Sequence, residues 1–481
     1  MSDLLPAQPA TTDASQLRAA GRHPVVPFRV ALDGGQTLTM LRLLRVLPGK
    51  RIVGEADYSG KRVLAKLFVA SGSERHWQRE CSGLAALRAG DLPTPEVFAA
   101  APLAGGGHAI LTEFVADAES LDTVWSRTSH LAVGDAAALA VLAPALAMLA
   151  QMHRAGMAQE DLHLGNFLRA AEVLLVIDGD SVNTFEKPLA AMPAAGNLGM
   201  LLAQLPAAWD AACGALLNIY KEAGGTAVIS EADLQAEIDR ERRWRLKDFL
   251  GKCVRDCSLF AVSKTATRFS AVLRQSLDQL APLLADLDRA LDVGIRLKSG
   301  NTCTVARADV PGGEVVIKRY NLKSVSHALS RFWRPSRAWH SWREAHRLRL
   351  FGVATPQPLA LVEERFGPMR RRAWLVTEFC PGANLAGHLS ADCEPPMAEA
   401  AAITTLFVTL HRLRISHGDL KATNLLWHAG KIWLIDLDAC TQHRSDAAYR
   451  KAWARDRGRL LRNWPASSAL VQWLQKTLPA A

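Results

Sequence analysis

The chain has 481 residues, 49% of them hydrophobic, with 57 Lys and Arg against 47 Asp and Glu for a net charge of +10. That apolar share is enough for a packed core and excludes a wholly disordered chain. The 8 cysteines are scattered without a C-x-x-C pair, which excludes a disulfide scaffold or zinc ribbon and points to a reducing compartment.

In chain order, the first 20 residues hold no apolar leader core, and residues 1–25 read as a flexible cytoplasmic start. Alternating, β-branched segments across residues 44–68 predict antiparallel strands, the last carrying Lys66 in VLAKLF. A helix follows with Glu80 in WQRE, then a strand ending LTEF at Glu113–Phe114. Ala136 to Met152 is uncharged, but it contains Pro144 and falls short of the ~20 apolar residues of a membrane span, so a buried helix is expected. A polar loop then holds Asp161 and Asn166 as D-x-x-x-x-N, and the apolar strand VLLVID ends at Asp178. Residues 183–292 are helical by pattern. Cys253 and Cys257, four apart on one helical face without further ligands, read as buried thiols.

From residue 293 the same order returns. Residues 149–178 and 407–436 align without a gap at an offset of 258, placing Asp161 on Asp419, Asn166 on Asn424 and Asp178 on Asp436. VVIKRY supplies Lys318, SWRE supplies Glu344, and VTEF supplies Glu378–Phe379. The expected fold is α+β: two tandem bilobal units, each a small antiparallel sheet followed by a helical lobe, over residues 26–292 and 293–481. The second has a shortened helical lobe. The net charge is divided unequally between them, with 29 basic against 33 acidic residues through Asp292 and 28 against 14 thereafter.

A strand lysine, a helix glutamate, D-x-x-x-x-N in a loop and a strand-terminal aspartate are the parts phosphoryl transfer needs. Lys66 and Lys318 would neutralise the α/β-phosphates of ATP, each held by an ion pair to Glu80 or Glu344. Asp161 and Asp419 would be the catalytic residues, accepting the hydroxyl proton or orienting the acceptor. Asn166 with Asp178, and Asn424 with Asp436, would hold Mg²⁺. The backbone at Glu113–Phe114 and Glu378–Phe379 would meet adenine. Neither copy has a full G-x-G-x-x-G; the segment Pro48-Gly49-Lys50-Arg51 reads as a plain hairpin turn, with Lys50 or Arg51 as an alternative source of charge.

At these residues the chain resembles the bacterial lipopolysaccharide core kinases, the heptose and Kdo kinases of the protein-kinase-like superfamily. QEDLHLGNFL (159–168) and HGDLKATNLL (417–426) carry the likeness, with RERRWRLKDFLGKCVRDCSLF (240–260) and RDRGRLLRNWP (455–465) similar to that family's C-terminal helical signature. The resemblance implies MgATP-dependent phosphorylation of an inner-core sugar hydroxyl of the lipopolysaccharide glycolipid, at the cytoplasmic face of the inner membrane. The copies depart from regulated protein kinases in lacking an Arg beside the loop Asp, an A-P-E segment and D-F-G, which is replaced by Asp178-Gly179-Asp180 and Asp436-Leu437-Asp438. Lys421 could reach the γ-phosphate in the second copy, where the first has His163; Gln159 replaces the loop His417.

Residues 315–343 hold seven Lys/Arg, three Trp and no acid. Arg331, Arg334 and Arg337 with Trp333 suit an anionic inner-membrane surface, the other reading being Trp residues in the core and solvated Arg residues; no nucleic-acid motif accompanies them. Two other readings stay open on the sequence: a small-molecule phosphotransferase of the aminoglycoside or choline type, and a pseudokinase scaffold in core assembly. Oligomeric state and the division of activity between copies are undetermined by sequence.

Overall fold

Where apolar and polar residues alternate, the chain pairs into sheet. Arg51–Tyr58 and Lys61–Phe68 form an antiparallel hairpin that buries Ile52, Ala56, Val63, Ala65 and Leu67 on one face and turns Lys66 to the other. The computed structural model describes residues 10–128, 131–225, 228–300, 302–321, 335–366 and 369–480. It divides into two compact units, Met1–Gln204 with Ala211–Glu241, and Leu205–Asp210 with Arg242–Ala481.

In the first unit a seven-stranded sheet runs in the order Ala10–Thr11, Phe28–Ala31, Thr37–Leu47, Arg51–Tyr58, Lys61–Phe68, His108–Glu113, Val97–Pro102. Helix Glu74–Ala89 is anchored to it by the Trp77 indole, which donates to Ala109 O at 3.0 Å. The apolar helix Ala136–Arg154 passes the length and composition test for a membrane span. Within the unit, however, Ala138, Leu142, Ala145, Leu146 and Leu149 are buried. Its His153 bonds Tyr220 Oη at 3.0 Å and Asn197 Oδ1 at 3.1 Å. Two small sheets beside it, one of Glu119–Ser120, Phe167–Ala170 and Val173–Val176 and one of Met157–Gln159 with Val182–Thr184, frame the Asp161 loop.

The second unit repeats the central order, with Ile295–Ser299, Cys303–Val310, the lysine strand Gly313–Tyr320, Met369–Glu378 and Pro358–Phe366 side by side. Two further strands, Phe260–Lys264 and Arg268–Leu273, extend that sheet. Arg268 pairs with Glu364 and Val272 with Ala360, all antiparallel. Helices Leu277–Ala285 and Leu287–Val293 cover one face through Leu280, Leu283, Leu287 and Leu291. The expected boundary at 292/293 is therefore wrong. Residues 242–292 belong to the second unit, and the segment 240–260 read as the first copy's closing signature lies mostly there, with Arg242 paired to the buried Asp210 at 2.7 Å. Cys253 is buried as expected, and Cys257 is half-buried.

After the strand Lys431–Leu434 the α-helices among the described residues are Asp446–Leu461 and Ala469–Thr477. The first unit has Ala191–Leu202, Cys213–Glu222 and the start of Glu231–Lys252 after Asp178.

Candidate active site

In the first unit the lysine strand and the glutamate helix bring Lys66 Nζ to 2.5 Å from Glu80 Oε1 and 3.6 Å from Asp178 Oδ1. Two glycines make this possible. A Cβ on Gly83 would sit 2.0 Å from Gly179 O, and one on Gly179 would sit 2.4 Å from Glu80 O. The helix thus rests backbone to backbone on the turn after Asp178, and Glu80 reaches both Lys66 and, through Oε2, the Asp180 amide at 3.1 Å. Asp178 occupies the left-handed region at φ 73°, a costly conformation for a non-glycine residue that aims its carboxylate back toward Lys66. Burial pushes that carboxyl's pKa up, but Lys66 and Arg51 outweigh burial and hold it below the ordinary aspartate value. Asp180 is held by Arg51 at 4.0 Å, Arg79 at 3.3 Å and His76 at 3.1 Å.

Asn166 Nδ2 donates to Asp161 O at 3.3 Å, which fixes the D-x-x-x-x-N loop, while Gln159 Nε2 donates to Ile177 O at 3.1 Å. Asn166 Oδ1 and Asp178 Oδ1 are both buried and accept no hydrogen bond among the described residues. Buried polar oxygens are rarely left so, and one amide and one carboxylate oxygen suit Mg²⁺, which takes few protein ligands and keeps water or phosphate in its other positions. Among the described residues no group of three or more His, Cys, Asp or Glu gathers into a metal cluster. Asp161 is exposed, and no ion pair engages it among the described residues.

The second unit uses the same loop wiring with different neighbours. Asn424 Nδ2 donates to Asp419 O at 2.9 Å, and His417 Nε2 donates to Ile435 O at 2.9 Å, the carbonyl equivalent to the one Gln159 serves. Asp436 again stands at positive φ, 60°. Here Asp419 is clamped, with Arg459 at 2.5 Å and Lys421 at 3.0 Å. Burial pushes its carboxyl up, but Lys421, Arg459 and His417 together hold it below the usual value. The buried Asp456 accepts from the His417 and Gly418 amides at 2.7 and 2.9 Å. Asp456 and Arg459 lie in the R-D-R-G-R segment; its charge in a buried helix was the signal, and their target was not legible.

The expected Lys318–Glu344 pair is absent. Glu344 pairs with Arg347 at 2.9 Å, while Lys318 contacts Asp436 at 2.5 Å and Asp438 at 2.9 Å. The positions of Gly83 and Gly179 are occupied by Arg347 and Leu437. Helix Arg337–Leu350 therefore cannot seat backbone to backbone on the turn, and Arg347 captures the glutamate. Burial works against the Lys318 charge, but Tyr320, Asp438 and Asp436 outweigh it and hold its pKa above that of an ordinary lysine.

Lys318, Asn424, Asp436, Glu378 and Phe379 share a cavity of about 310 Å³ whose apolar walls include Val305, Val316, Leu375 and Leu426. The amides at Glu378 and Phe379 are already bonded, to Gln357 O at 2.9 Å and Glu314 O at 3.0 Å. A base entering there would meet the carbonyls or the backbone of Cys380, which also lines the cavity. In the first unit the Glu113 amide is likewise bonded, to Glu96 O at 2.7 Å, and Phe114 lies under Arg62 at 4.2 Å. Of the residues expected to face a membrane, Arg331, Trp333 and Arg334 lie outside the described residues. Arg337 is exposed and pairs with Asp438.

The sequence pattern of the lipopolysaccharide kinase (Kdo/WaaP) family matches residues 61–181 and 297–476, well over half the chain and both Lys-to-Asp stretches. The chain belongs to this family. A 3-deoxy-D-manno-octulosonic acid kinase from Xanthomonas euvesicatoria pv. vesicatoria (strain 85-10) is 30% identical over 137 residues. The match covers 27% of this lipopolysaccharide kinase family member and 54% of the relative, so the chain spans about half the length of the curated relative it matches. Among solved structures, WaaP in complex with acyl carrier protein is 19% identical at a TM-score of 0.32, over 42% of this chain and 88% of that one. Vaccinia related kinase 3 is 10% identical at a TM-score of 0.26, over 36% of this chain and 57% of that one.

Proposed function

We propose that the chain is a kinase that transfers the γ-phosphoryl group of ATP to a sugar hydroxyl of the lipopolysaccharide inner core. In this reading it acts at the cytoplasmic face of the inner membrane and carries two tandem bilobal protein-kinase-like domains. The observation that carries the reading is the first unit's Lys66, held between Glu80 and Asp178 beside Asn166 Oδ1 and Asp178 Oδ1, which accept no hydrogen bond among the described residues. Lys66 neutralises the α- and β-phosphates, and Glu80 keeps its ammonium in place. Asn166 and Asp178 would hold Mg²⁺, which would supply charge neutralisation to the phosphates. Asp161, exposed at the loop, receives the sugar hydroxyl and orients its oxygen toward the γ-phosphorus. In the second unit the apolar cavity receives the adenine, and Asp419 stands where the acceptor hydroxyl would arrive.

The test is turnover of MgATP by the full chain, with deacylated core oligosaccharide as acceptor, comparing Asp161→Ala, Asp419→Ala and the double variant. Loss of the hydroxyl-orienting carboxylate is expected to cut kcat by about 10²–10⁴ in the unit that transfers. Loss in one variant assigns transfer to that unit, and loss in both shows that both work. If neither variant slows transfer, or if a deletion strain keeps its full core phosphate by mass spectrometry, the reading is wrong.

A further inference from the structure

We propose that in the second unit Asp438, two residues beyond the strand-terminal aspartate, has taken over from the helix glutamate as the anchor that positions the nucleotide-binding lysine. This rests on the phosphotransferase reading above and concerns how its second site is built.

The geometry around Asp438 is that of a constructed anchor. Its Oδ1 accepts from Lys318 Nζ at 2.9 Å, Tyr320 Oη at 2.7 Å and Ser341 Oγ at 2.8 Å, and Arg337 pairs with Oδ2. Each partner comes from an element that must be in register for the site to form. Lys318 and Tyr320 lie two apart on the lysine strand and so share a face, and Ser341 and Arg337 lie one turn apart at the start of the helix. His340 Nε2 donates to Cys440 O at 2.7 Å, binding the same helical turn to the far side of the Asp438 loop. Lys318 and Arg337 also stand 5.0 and 5.3 Å from the Tyr320 ring centre. The strand, the helix and the loop are therefore joined through one carboxylate, the task Glu80 performs in the first unit.

Glu344 cannot share that task, because both of its oxygens face Arg347, at 2.9 and 3.2 Å. Arg347 is in turn fixed by Gln442 Oε1 at 2.5 Å. In the first unit the residue equivalent to Asp438 does the reverse: Asp180 turns to Arg51, Arg79 and His76 and leaves Lys66 to Glu80. The two units thus reach the same held lysine by exchanging the anchor between helix and turn. The exchange follows the pair of contact residues, Gly83 with Gly179 in one unit and Arg347 with Leu437 in the other.

The test uses the full chain with Lys66→Ala, so that nucleotide binding reports the second unit, and titrates the fluorescent nucleotide N-methylanthraniloyl-ATP in the presence of Mg²⁺. Asp438→Asn is expected to weaken binding about tenfold, as loss of one charged hydrogen-bonded partner does. Asp438→Glu should recover part of that, and Glu344→Gln should leave affinity within about twofold. Because Asp438→Asn removes a buried charge, melting temperature without nucleotide is measured alongside. If that variant does not fold, Tyr320→Phe, which deletes one donor and keeps the ring, is expected to weaken binding about threefold. In the companion chain with Lys318→Ala, Glu80→Gln should weaken binding where Asp180→Asn does not. Loss of affinity in Glu344→Gln with Asp438→Asn unaffected would overturn the anchor assignment while leaving the kinase reading standing. Absence of nucleotide binding in both the Lys66→Ala and Lys318→Ala chains would sink the kinase reading and the anchor with it.

Discussion

His346 shows how far a single residue can set the conditions in which the second unit survives. Its side chain is 2% exposed, and its ring centre lies 4.3 Å from Trp342, 5.1 Å from Phe260 and 5.7 Å from Phe249. Nε2 has no hydrogen-bond partner among the described residues. Burial in that aromatic cage, with a smaller contribution from Arg349, pushes its pKa from 6.5 down to about 3. The folded state thus resists a proton that the unfolded chain accepts near 6.5. Stability from this residue is complete above that value and declines as pH falls from 6.5 toward 3. Linkage sets the slope at ~1.4 kcal/mol per pH unit while only the unfolded chain is protonated. Urea denaturation at pH 7, 6 and 5 should show that decline, and His346→Phe should flatten it. An equally steep decline in the variant would place the acid sensitivity elsewhere.

At the scale of elements, the contact between the glutamate helix and the turn after the strand-terminal aspartate decides which ion pair forms. Gly179→Ala would place a methyl 2.4 Å from Glu80 O and 2.8 Å from the Leu84 amide, both backbone, so the helix must move. The expected outcome is a destabilisation of about 1–3 kcal/mol from overpacking, with a raised KM for ATP in a chain whose second unit is disabled by Lys318→Ala. Thermal melting and initial-rate kinetics check the two effects separately; a normal KM would mean that Glu80 does not need the close contact. This contact also marks the limit of what the sequence could tell. The strands, their order along the chain, the Lys66–Glu80 pair and the paired strand-terminal aspartates were legible, because periodicity and the 258-residue offset are local signals repeated twice; the left-handed backbone at Asp178 and Asp436 was not. The failure of the Lys318–Glu344 pair was present as Leu437 and Arg347 in place of two glycines. It could be read only once the glycines were known to touch, since packing depth between a helix and a turn leaves no periodic trace.

The same distinction holds for the whole molecule, where the repeat was plain and the division between the units was not. The hairpin Phe260–Lys264 with Arg268–Leu273 precedes the repeated segment, yet it pairs with Pro358–Phe366, a partner that local pattern cannot identify. Moving the division to Arg242 sharpens the charge asymmetry, because residues 242–292 carry ten Lys and Arg against six Asp and Glu. The second unit is therefore more basic than the repeat alone implied, which favours it as the part that meets an anionic surface. Arg337 is paired with Asp438 and Trp342 is fully buried, so the proposed membrane attachment through the 315–343 stretch is tested at Arg331 and Arg334, which lie outside the described residues. The exposed Trp244, with Arg243 and Lys247 on the same helix, offers a second basic–aromatic surface. Near an anionic bilayer each basic residue contributes ~1 kcal/mol, so reversing two charges should lower binding by more than about tenfold. The full chain is expected to sediment with phosphatidylglycerol vesicles at low salt and to be released as salt screens the attraction. Arg331→Glu with Arg334→Glu should abolish sedimentation while leaving nucleotide binding intact. If instead Arg243→Glu with Lys247→Glu releases the chain and the first pair does not, the membrane-facing surface is the Trp244 helix. Retention by both double variants would remove the membrane from the proposed setting.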